Sequence, residues 1–514
     1  MMKWNSLRLV AIVSTSVALA AGCASSSQDS ENNGSGGSNN GALTYGYAGG
    51  GLTSLNPNTI TSGSEQPVAL LLFDSLTKIG SDGTTQPGLA TTWTKSADLK
   101  TWTFTLKSGV HYHSGRLFTA QDAVKNLNYV LDASHASQQR HFISNLQSAT
   151  ASTDTTLVVA LKTPNALLPT ALANIYMANI DTIGQVNQNG DGTGPFKLTQ
   201  FVPDDHVLLS QFPDYWGEKA KLGTLRIQRA ADLTSAMTSL RTGSLDVLWG
   251  VSPADTDQLK KTANVTIVQP ALTSGSTVWE LDTTSPPFNN PKARQALSYA
   301  ADRATMQSAA LGGTGELATT NDVVATKNPG YTPDQVSYGF DLSKARRLFT
   351  EAGVKPGTTL TFWTIAGRHP EWISMAEILQ QDLAKIGIKL EIKQQEVSTW
   401  LQAFFPAGKK YPGVVVANFW NLSSVPAYAL NWYAGGCECN WSDPTYNALV
   451  QKALQSPDDT ARKAIYAQAQ QIINQQVPSV VLMQSAQIVA ASSKVHGLWT
   501  ASDGTPHLEQ ASVG

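Results

Sequence analysis

Residues 360–392 read LTFWTIAGRHPEWISMAEILQQDLAKIGIKLEI. Leu360–Trp363 and Lys389–Ile392 are short, largely apolar segments of the kind that form strands. Between them, Met375–Ile386 has helical periodicity, and Gly387 follows where a helix is expected to end. A strand, a helix and a second strand in this order predict a β-α-β unit, whose right-handed crossover builds parallel sheet.

Strands and helices alternate along the rest of the chain as well, so the sequence predicts an α/β fold. Thr119-Ala120-Gln121-Asp122 is typical of a capping box and predicts a helix that continues to about Leu131. Further strands are predicted at Ala42–Ala48, Trp102–Leu106, Val207–Leu209, Leu225–Ile227, Asp246–Trp249 and Pro478–Met483. Further helices are predicted at Leu233–Arg241, Lys292–Asp302, Ser343–Ala352, Tyr446–Leu454 and Ala461–Gln475.

The beginning of the chain has the pattern of an export signal. Leu9–Ala21 is an uncharged run of 13 residues behind a basic start, shorter than the ~20 residues that span a bilayer. Leu19-Ala20-Ala21-Gly22-Cys23 is similar to a bacterial lipobox, in which the cysteine becomes acylated. Residues 1–22 are therefore predicted to be a lipoprotein signal peptide and Cys23 the lipid-attachment residue. The alternative is an ordinary secretory signal beside which Cys23 has no role.

Residues 23–41 are predicted to be a disordered tether. The segment from Ala24 to Gly41 reads ASSSQDSENNGSGGSNNG and contains no aliphatic side chain larger than Ala, so it cannot bury enough surface to fold. As a Gly/Ser-type coil its 18 residues span about 25 Å. A lipid and a tether together predict an extracytoplasmic protein held at the cell surface or at the periplasmic face of a membrane.

The composition limits the partners and the number of domains. Removal of the first 22 of 514 residues leaves 492, enough for two or three domains. The remaining 34 basic and 38 acidic side chains give a net charge of −4 without any basic cluster, so nucleic acid is not expected as a partner. Cys437 and Cys439 stand in a loop-like segment, where they form either a disulfide or two free thiols.

No motif for catalysis was found. The sequence lacks HExxH, GxSxG, a P-loop and a Rossmann glycine pattern. His111 and His113 would lie on one face of a strand, but no third metal ligand is near them in sequence. They are therefore interpreted as surface histidines of a strand. The sequence predicts a protein that is not an enzyme and needs neither a cofactor nor a metal.

Several motifs occur in a fixed order along the chain. The first three are PGLATTW at 87–93, WTFTLKSGVHYHSG at 102–115 and FTAQDAV at 118–124. They are followed by GTGPFKL at 192–198, DYWG at 214–217, PF at 287–288, ARQAL at 293–297, DR at 302–303 and DLAKIGI at 382–388. In order and spacing they resemble the extracellular solute-binding proteins family 5 of ABC importers, which includes oligopeptide-, dipeptide- and nickel-binding proteins. The resemblance covers nearly the whole chain after the tether.

The resemblance implies a type II periplasmic-binding fold with two α/β lobes, a hinge and an inserted domain. By analogy, lobe I comprises 42–78, 193–274 and 486–514, the inserted domain 79–192 and lobe III 275–485. The ligand would lie in the cleft between the lobes, and closure on it would be a hinge motion. The closed form would then dock on ABC permease subunits in the membrane. We expect a monomer.

The resemblance also raises a question about the ligand. Peptide binders of this family often carry Trp-x-x-Asp-x-x-Asp-Pro, in which the first Asp pairs with the α-amino group of the peptide. Here Trp420 is present, but Ser423 stands at the position of that Asp. An ammonium group without a counter-ion in a desolvated cleft is costly. Either another acid compensates, with Glu280 and Asp282 nearest by analogy, or the ligand is blocked, neutral or a different solute.

The predicted ligand contacts come mainly from lobe III. Trp420 and Trp279 match positions that face the ligand in the family, and Asn418, Ser423, Trp400 and, from lobe I, Tyr47 are further candidates. Large rings can stack on sugars or line apolar pockets, and packing in the core is the alternative for each of them.

The function expected from the resemblance is capture of a peptide for an ABC importer. Binding of an oligosaccharide or another neutral solute on the same scaffold, or ligand sensing by a lipoprotein, are the alternatives. An extracellular enzyme is the fourth and least favoured alternative.

Overall fold

The β-α-β unit is present in the computed structural model of the chain. Strand Thr359–Ile365 pairs in parallel with strand Lys389–Gln395. The intervening helix, Pro370–Lys385, begins ahead of the predicted Met375. Proline suits the first turn of a helix because its missing N–H group has no intrahelical partner there. The prediction of parallel sheet in this region is confirmed.

The structure describes residues 41–48, 51–60, 65–328, 330–366, 370–396, 399–400, 411, 413–420, 426–434, 437 and 439–514. Within these ranges, no helix is both long enough and apolar enough to cross a bilayer.

The β-α-β unit belongs to a six-stranded sheet. In order across this sheet the strands are Glu316–Leu317, Ser479–Ser485, Gly275–Leu281, Val414–Trp420, Thr359–Ile365 and Lys389–Gln395. Strand Gly275–Leu281 is antiparallel to both of its neighbours, and all seven of its residues are buried. The helices that pack with this sheet around one hydrophobic core are Pro291–Tyr299, Arg303–Ala310, Leu342–Glu351, Pro370–Lys385, Pro426–Ala434, Pro444–Leu454 and Asp459–Gln476.

A second sheet has seven strands. Their order is Val265–Val268, Ile488–Ser492, Val247–Val251, Ala42–Ala48, Thr224–Ala230, His206–Gln211 and Phe196–Val202. One hydrophobic core contains Leu43 and Ile227, and another contains Leu248 and Leu240. The helices of this region are Gln66–Leu72, Leu233–Thr242 and Pro253–Lys260. The predicted strand Ala42–Ala48 is confirmed along its full length.

A third sheet has four antiparallel strands, in the order Ala90–Lys95, Thr101–Leu106, Thr156–Leu161 and Leu146–Thr153. Trp102, Phe104 and Leu106 are buried, as their alternation with polar residues predicts. The helices here are Ala120–Leu131, Arg140–Ile143, Leu168–Leu172 and Val186–Asn189, with 3₁₀ turns at Ala133–His135 and Ile180–Gln185. Three two-stranded ribbons complete the described elements: Thr77–Ile79 with Thr85–Pro87, Val495–His496 with Ser512–Val513, and Trp499–Thr500 with Pro506–His507.

The predicted capping box is confirmed at the start of helix Ala120–Leu131. The Asp122 carboxylate accepts hydrogen bonds from the Thr119 backbone N–H group at 2.9 Å and from its hydroxyl at 3.0 Å. Arg116 lies 2.8 Å from the other oxygen of Asp122. A negative charge at this end of a helix is favourable because the free N–H groups carry partial positive charge.

The three sheets take their strands from separate parts of the sequence. The four-stranded sheet lies within 90–161 and the six-stranded sheet within 275–485, whereas the seven-stranded sheet combines segments between 42 and 268 with Ile488–Ser492. The boundaries predicted for lobe I, the inserted domain and lobe III stay a prediction. We refer below to the seven-stranded and six-stranded lobes by their sheets.

Candidate ligand-binding site

The chain passes between the two large sheets twice. The first crossing, residues 269–274, joins strand Val265–Val268 to strand Gly275–Leu281, and the second, residues 486–487, joins Ser479–Ser485 to Ile488–Ser492. A cavity of about 500 Å³ lies at these crossings and is lined by residues of both, among them Gln269, Thr273 and Gln487. A volume of this size is typical of small-molecule sites.

One loop near the end of the chain holds both crossings. The backbone N–H group of Ser274 donates to the Ser502 carbonyl at 2.9 Å, and that of Gln487 donates to the Asp503 carbonyl at 3.0 Å. Gly504 follows with a φ of +91°, and a Cβ atom there would lie 2.3 Å from the Gln487 carbonyl oxygen. Only glycine fits this approach, so the loop lies directly against the second crossing.

The seven-stranded lobe contributes a strand end and a helix to the cavity. Val247–Val251 ends at Ser252, which begins helix Pro253–Lys260, and both ends of that helix line the cavity through Ser252 and Lys260. Ser252 Oγ accepts a hydrogen bond from the Asp255 N–H group at 3.2 Å and donates one to its carboxylate at 2.6 Å. This side chain cap fixes the helix beside the cavity.

The six-stranded lobe contributes Thr277, Gln484, Trp372 and the turn that leads to Glu316. Gln484 is buried, and its Nε2 atom donates to the Val324 carbonyl at 3.2 Å while its Oε1 atom accepts from the Thr326 N–H group at 3.1 Å. These bonds attach the segment that follows Glu316 to strand Ser479–Ser485.

Two carboxylates and two lysines line the cavity: Glu316, Glu371, Lys260 and Lys327. Glu316 accepts a hydrogen bond from Thr326 Oγ1 and lies 3.3 Å from Lys327 Nζ. Lys260 belongs to the opposite lobe and has a loose contact of 3.7 Å with Asp257. The cavity therefore offers both signs of charge to a ligand, which suits a zwitterion.

Three of the predicted ligand contacts are buried in cores rather than exposed in the cavity. Trp279 is 0% exposed and meets Phe362 edge to face at 6.0 Å. Trp400 is 6% exposed within the core of the six-stranded lobe. Tyr47 is also buried, and burial raises the pKa of its hydroxyl. None of the three is among the described residues that line the cavity, and their contact with a ligand stays a prediction.

The other predicted contacts lie at or beyond the limit of the described residues. Asn418 and Trp420 are on strand Val414–Trp420, where Asn418 is the register partner of Thr277 and Trp420 that of Gly275. Their backbone therefore runs beside a strand that reaches the cavity, but their side chains are outside the described part. Ser423 and Cys23 lie outside the described residues altogether.

The two acids suggested as substitutes for an Asp at 423 have other partners. The buried Glu280 accepts a hydrogen bond from Ser479 Oγ at 2.7 Å. Asp282 accepts from the hydroxyls of Thr284 and Ser285 at 2.7 and 2.6 Å. Burial raises the pKa of Asp282, but these hydrogen bonds outweigh it and leave that pKa below the ordinary value. Neither acid lines the cavity; Glu316 and Glu371 do, and no sequence motif marked them.

The histidine pair is not on a strand, so that interpretation was wrong. His113 is buried, and its ring nitrogens lie 3.0 Å from the carbonyl oxygens of Gly190 and Gly194. Burial lowers the pKa of His113 against the effect of these carbonyls. His113 thus connects the motif at 102–115 to the segment 190–194, after which the chain returns to the seven-stranded sheet. Among the described residues, no group of three or more His, Cys, Asp or Glu could hold a metal ion.

Cys437 and Cys439 form a disulfide in the structure, with their Cα atoms 5.0 Å apart. Both side chains are buried in the core of the six-stranded lobe. The Cys439 carbonyl accepts a hydrogen bond from Thr283 at 2.9 Å. The pair lies outside the described lining of the cavity.

A second cavity, of about 570 Å³, lies between helix Gln66–Leu72 and the ribbon Trp499–His507. Two ion pairs line it: Lys78 lies 2.7 Å from Asp74, and His507 lies 3.0 Å from Glu509. None of the described residues that line it belongs to either crossing. The cavity at the crossings is therefore the candidate ligand site.

Two α/β lobes connected by two crossings, with a cavity at the junction, define a two-lobed binding protein of the type II periplasmic-binding class. The family model for bacterial extracellular solute-binding proteins, family 5 Middle, matches residues 84–438. The chain belongs to this family, and the predicted resemblance and fold are confirmed.

Relatives of the chain include named peptide-binding proteins. A dipeptide-binding protein of Pseudomonas aeruginosa is 27% identical over 493 residues, which cover 86% of this chain and 89% of the relative. Glutathione-binding protein GsiB of Shigella boydii is 25% identical over 492 residues, covering 90% and 93%. The crystal structure of a dipeptide binding protein from Pseudoalteromonas sp. SM9913 in complex with Met-Leu matches with a TM-score of 0.78 at 25% identity, covering 92% of this chain and 100% of that one.

Proposed function

We propose that this chain is an extracytoplasmic lipoprotein that captures a peptide between its lobes and delivers it to the permease of an ABC importer. The observation that carries this proposal is the cavity at the two crossings, where two carboxylates and two lysines lie around a volume of about 500 Å³. A short peptide carries an ammonium and a carboxylate group at its two ends, so it matches both signs of charge.

Two further observations support the peptide as ligand. Relatives that align over most of the chain are named for dipeptides and glutathione. The cavity also combines hydroxyl and amide groups, from Thr277, Thr273 and Gln484, with the indole of Trp372. Such a mixture suits a peptide backbone together with an apolar side chain.

The lipid anchor in this proposal rests on the sequence. Cys23 at the end of a signal peptide would carry the acyl chains, and the tether of residues 24–41 would let the body turn toward its permease. The protein would act as a monomer, and closure would be favoured only by ligand contacts that the open form lacks.

A neutral solute is the second candidate, because Ser423 stands where peptide binders of the family often have an acid. An oligosaccharide or a blocked peptide would need no such acid. A sensing role differs from import in one respect only: deletion of the cognate permease would leave a sensor's response intact but would abolish uptake of the ligand.

The test is a thermal-unfolding screen of the protein that starts at Ala24. The ligands are di- to hexapeptides, their N-acetylated forms and neutral oligosaccharides. A cleft ligand at 100 times its Kd adds about 2.7 kcal/mol to the free energy of unfolding. Stabilisation by free peptides supports the proposal. Stabilisation by oligosaccharides alone would replace the peptide with a neutral solute.

A further inference from the structure

The two carboxylates of the cavity lie on different elements of the six-stranded lobe. Glu316 lies on the edge strand Glu316–Leu317, which pairs with Met483 and Gln484 of the neighbouring strand. Its carboxylate accepts a hydrogen bond from Thr326 Oγ1, and its side chain is 31% exposed. Glu371 lies instead in the first turn of helix Pro370–Lys385. Glu316 therefore has a fixed position, with part of its carboxylate open to the cavity.

The cation that accompanies Glu316 is loosely held. Lys327 Nζ lies 3.3 Å from the carboxylate, but its side chain is 67% exposed. An exposed ion pair of this kind contributes little, because the lysine can be hydrated equally well in water. Displacement of Lys327 by another cation would therefore cost little free energy.

We propose that Glu316 is the specificity-determining acid that binds the free ammonium group of the ligand, and that this ammonium group displaces Lys327. The inference rests on the proposed function, in which the ligand is a peptide. Glu316 then supplies the negative charge that Ser423 does not provide. The substrates are then peptides with a free amino terminus.

Physical reasons favour the ammonium of a ligand over that of Lys327. A ligand inside the cavity excludes water from the carboxylate, and a charge-assisted hydrogen bond is stronger where water is excluded. Thr326 holds the acceptor in place before the ligand arrives, so little ordering of Glu316 is required. Lys260, on the opposite lobe, lines the same cavity and is available to the carboxylate end of the ligand. A zwitterion would thus contact both lobes and favour the closed form.

Removal of the charge on Glu316 and removal of the charge on Lys327 should change the affinity for a free peptide in opposite directions. For the peptide that gives the largest stabilisation in the screen, titration calorimetry should show tighter binding than for its N-acetylated form. Glu316→Gln should weaken binding of the free peptide at least about tenfold, the size of one charge-assisted hydrogen bond, and should abolish the preference over the acetylated form. Lys327→Gln should strengthen binding of the free peptide, because no resident cation must be displaced.

A matched control is available outside the cavity. Glu351 lies 2.9 Å from Lys292 and both side chains are exposed, so Glu351→Gln removes a comparable carboxylate without touching the site. This variant should keep the wild-type affinities. Thermal unfolding of each variant without ligand should show that the variants are folded. If Glu316→Gln is unstable, the affinity of Lys327→Gln for the free peptide still tests the inference, because no gain in affinity there would overturn it.

The outcomes separate the two proposals. Binding of peptides by the wild-type protein, with the preference for a free amino terminus unchanged in Glu316→Gln, overturns this inference alone. Loss of the preference in Glu371→Gln instead of Glu316→Gln overturns it as well and assigns the role to the other acid. If the wild-type protein binds no peptide in either form, the proposed function fails and the inference fails with it.

Discussion

Asp74 and Asp322 are both buried aspartates, but their surroundings differ. Asp74, beside the seven-stranded lobe, has four donors: Lys78 at 2.7 Å, Trp216 at 2.7 Å, Tyr215 at 3.0 Å and Thr193 at 3.2 Å. Asp322, in the six-stranded lobe, is 0% exposed and accepts from the Val324 N–H group at 2.9 Å and from Gln335 Nε2 at 2.7 Å. No ion pair with Asp322 occurs among the described residues.

The difference shows that the donors around a buried carboxylate, and not its burial alone, decide how much of its lost hydration is replaced. Burial raises the pKa of Asp322 to about 7 because its neutral donors compensate only part of the lost hydration. For Lys78 the order is reversed: burial lowers its pKa, but attraction to Asp74 and Tyr215 outweighs this and raises the pKa above the ordinary value.

The largest effect is expected from Asp74→Asn. In either orientation the new amide group points a donor at Lys78 or at Trp216, so one of these donors loses its acceptor on the buried side chain. The free energy of unfolding should fall by about 3 kcal/mol in urea at pH 7.5. Asp322→Asn is the matched control and should lose less free energy of unfolding, because its donors, the Val324 N–H group and Gln335 Nε2, are neutral and no charged partner is left behind. Equal losses of unfolding free energy in the two variants would show that the donors around the two carboxylates contribute equally to stability.

The second effect is a dependence of stability on pH that comes from Asp322. Because its pKa is raised in the folded state to about 7, the folded protein holds a proton that the unfolded chain releases near pH 4. The contribution to stability is full below about pH 4 and is lost as the pH rises through 7. Between pH 5.5 and 8.0 the wild-type protein should lose about 2 kcal/mol more than Asp322→Asn.

Urea unfolding of both proteins at the two pH values measures this difference, and all other titrating groups cancel in the comparison. Tyr331 and Tyr446 are the titrating groups close to Asp322, and burial raises the pKa of both hydroxyls, so they stay neutral over this range. Parallel pH profiles of the wild-type protein and the variant would contradict the raised pKa of Asp322.

The smallest effect is expected from Lys78→Met. The side chain of Lys78 is 42% exposed, and Asp74 keeps its three other donors when the lysine is removed. A loss of about 1 kcal/mol is expected, measured by urea unfolding in low and in high salt. The loss should shrink in high salt, because a half-exposed ion pair is screened. A loss as large as that of Asp74→Asn would mean that the lysine, and not the set of donors, stabilises this carboxylate.

Local patterns in the sequence predicted much of the fold. The β-α-β unit and the helix at Ala120–Leu131 depend on periodicity and on a cap within a few residues, and both are confirmed. Helix Pro291–Tyr299 ends earlier than the predicted Asp302 because a second helix starts at Arg303. Cap residues such as Asp302, whose carboxylate accepts from the Thr305 N–H group at 3.0 Å, were available in the sequence as the signal for that start.

The site was less predictable, for two physical reasons. Strand Gly275–Leu281 is buried on both faces, so it lacks the alternation that would show which side of the sheet Trp279 faces. Glu316 and Lys260 are far apart in the sequence and meet at one cavity only because the chain crosses between the sheets. The burial of His113 was unpredictable for the same reason, because its partners Gly190 and Gly194 are more than seventy residues away in the sequence.

The order of strands in the seven-stranded sheet has a consequence for how the chain is made. Ile488–Ser492 lies between Val247–Val251 and Val265–Val268, and Val265–Val268 has no other neighbour in the sheet. During synthesis from the N-terminus, this sheet therefore stays incomplete until Ile488–Ser492 has been made, which is after all described strands of the six-stranded sheet. A nascent chain that has not reached Ile488–Ser492 therefore cannot complete the seven-stranded lobe.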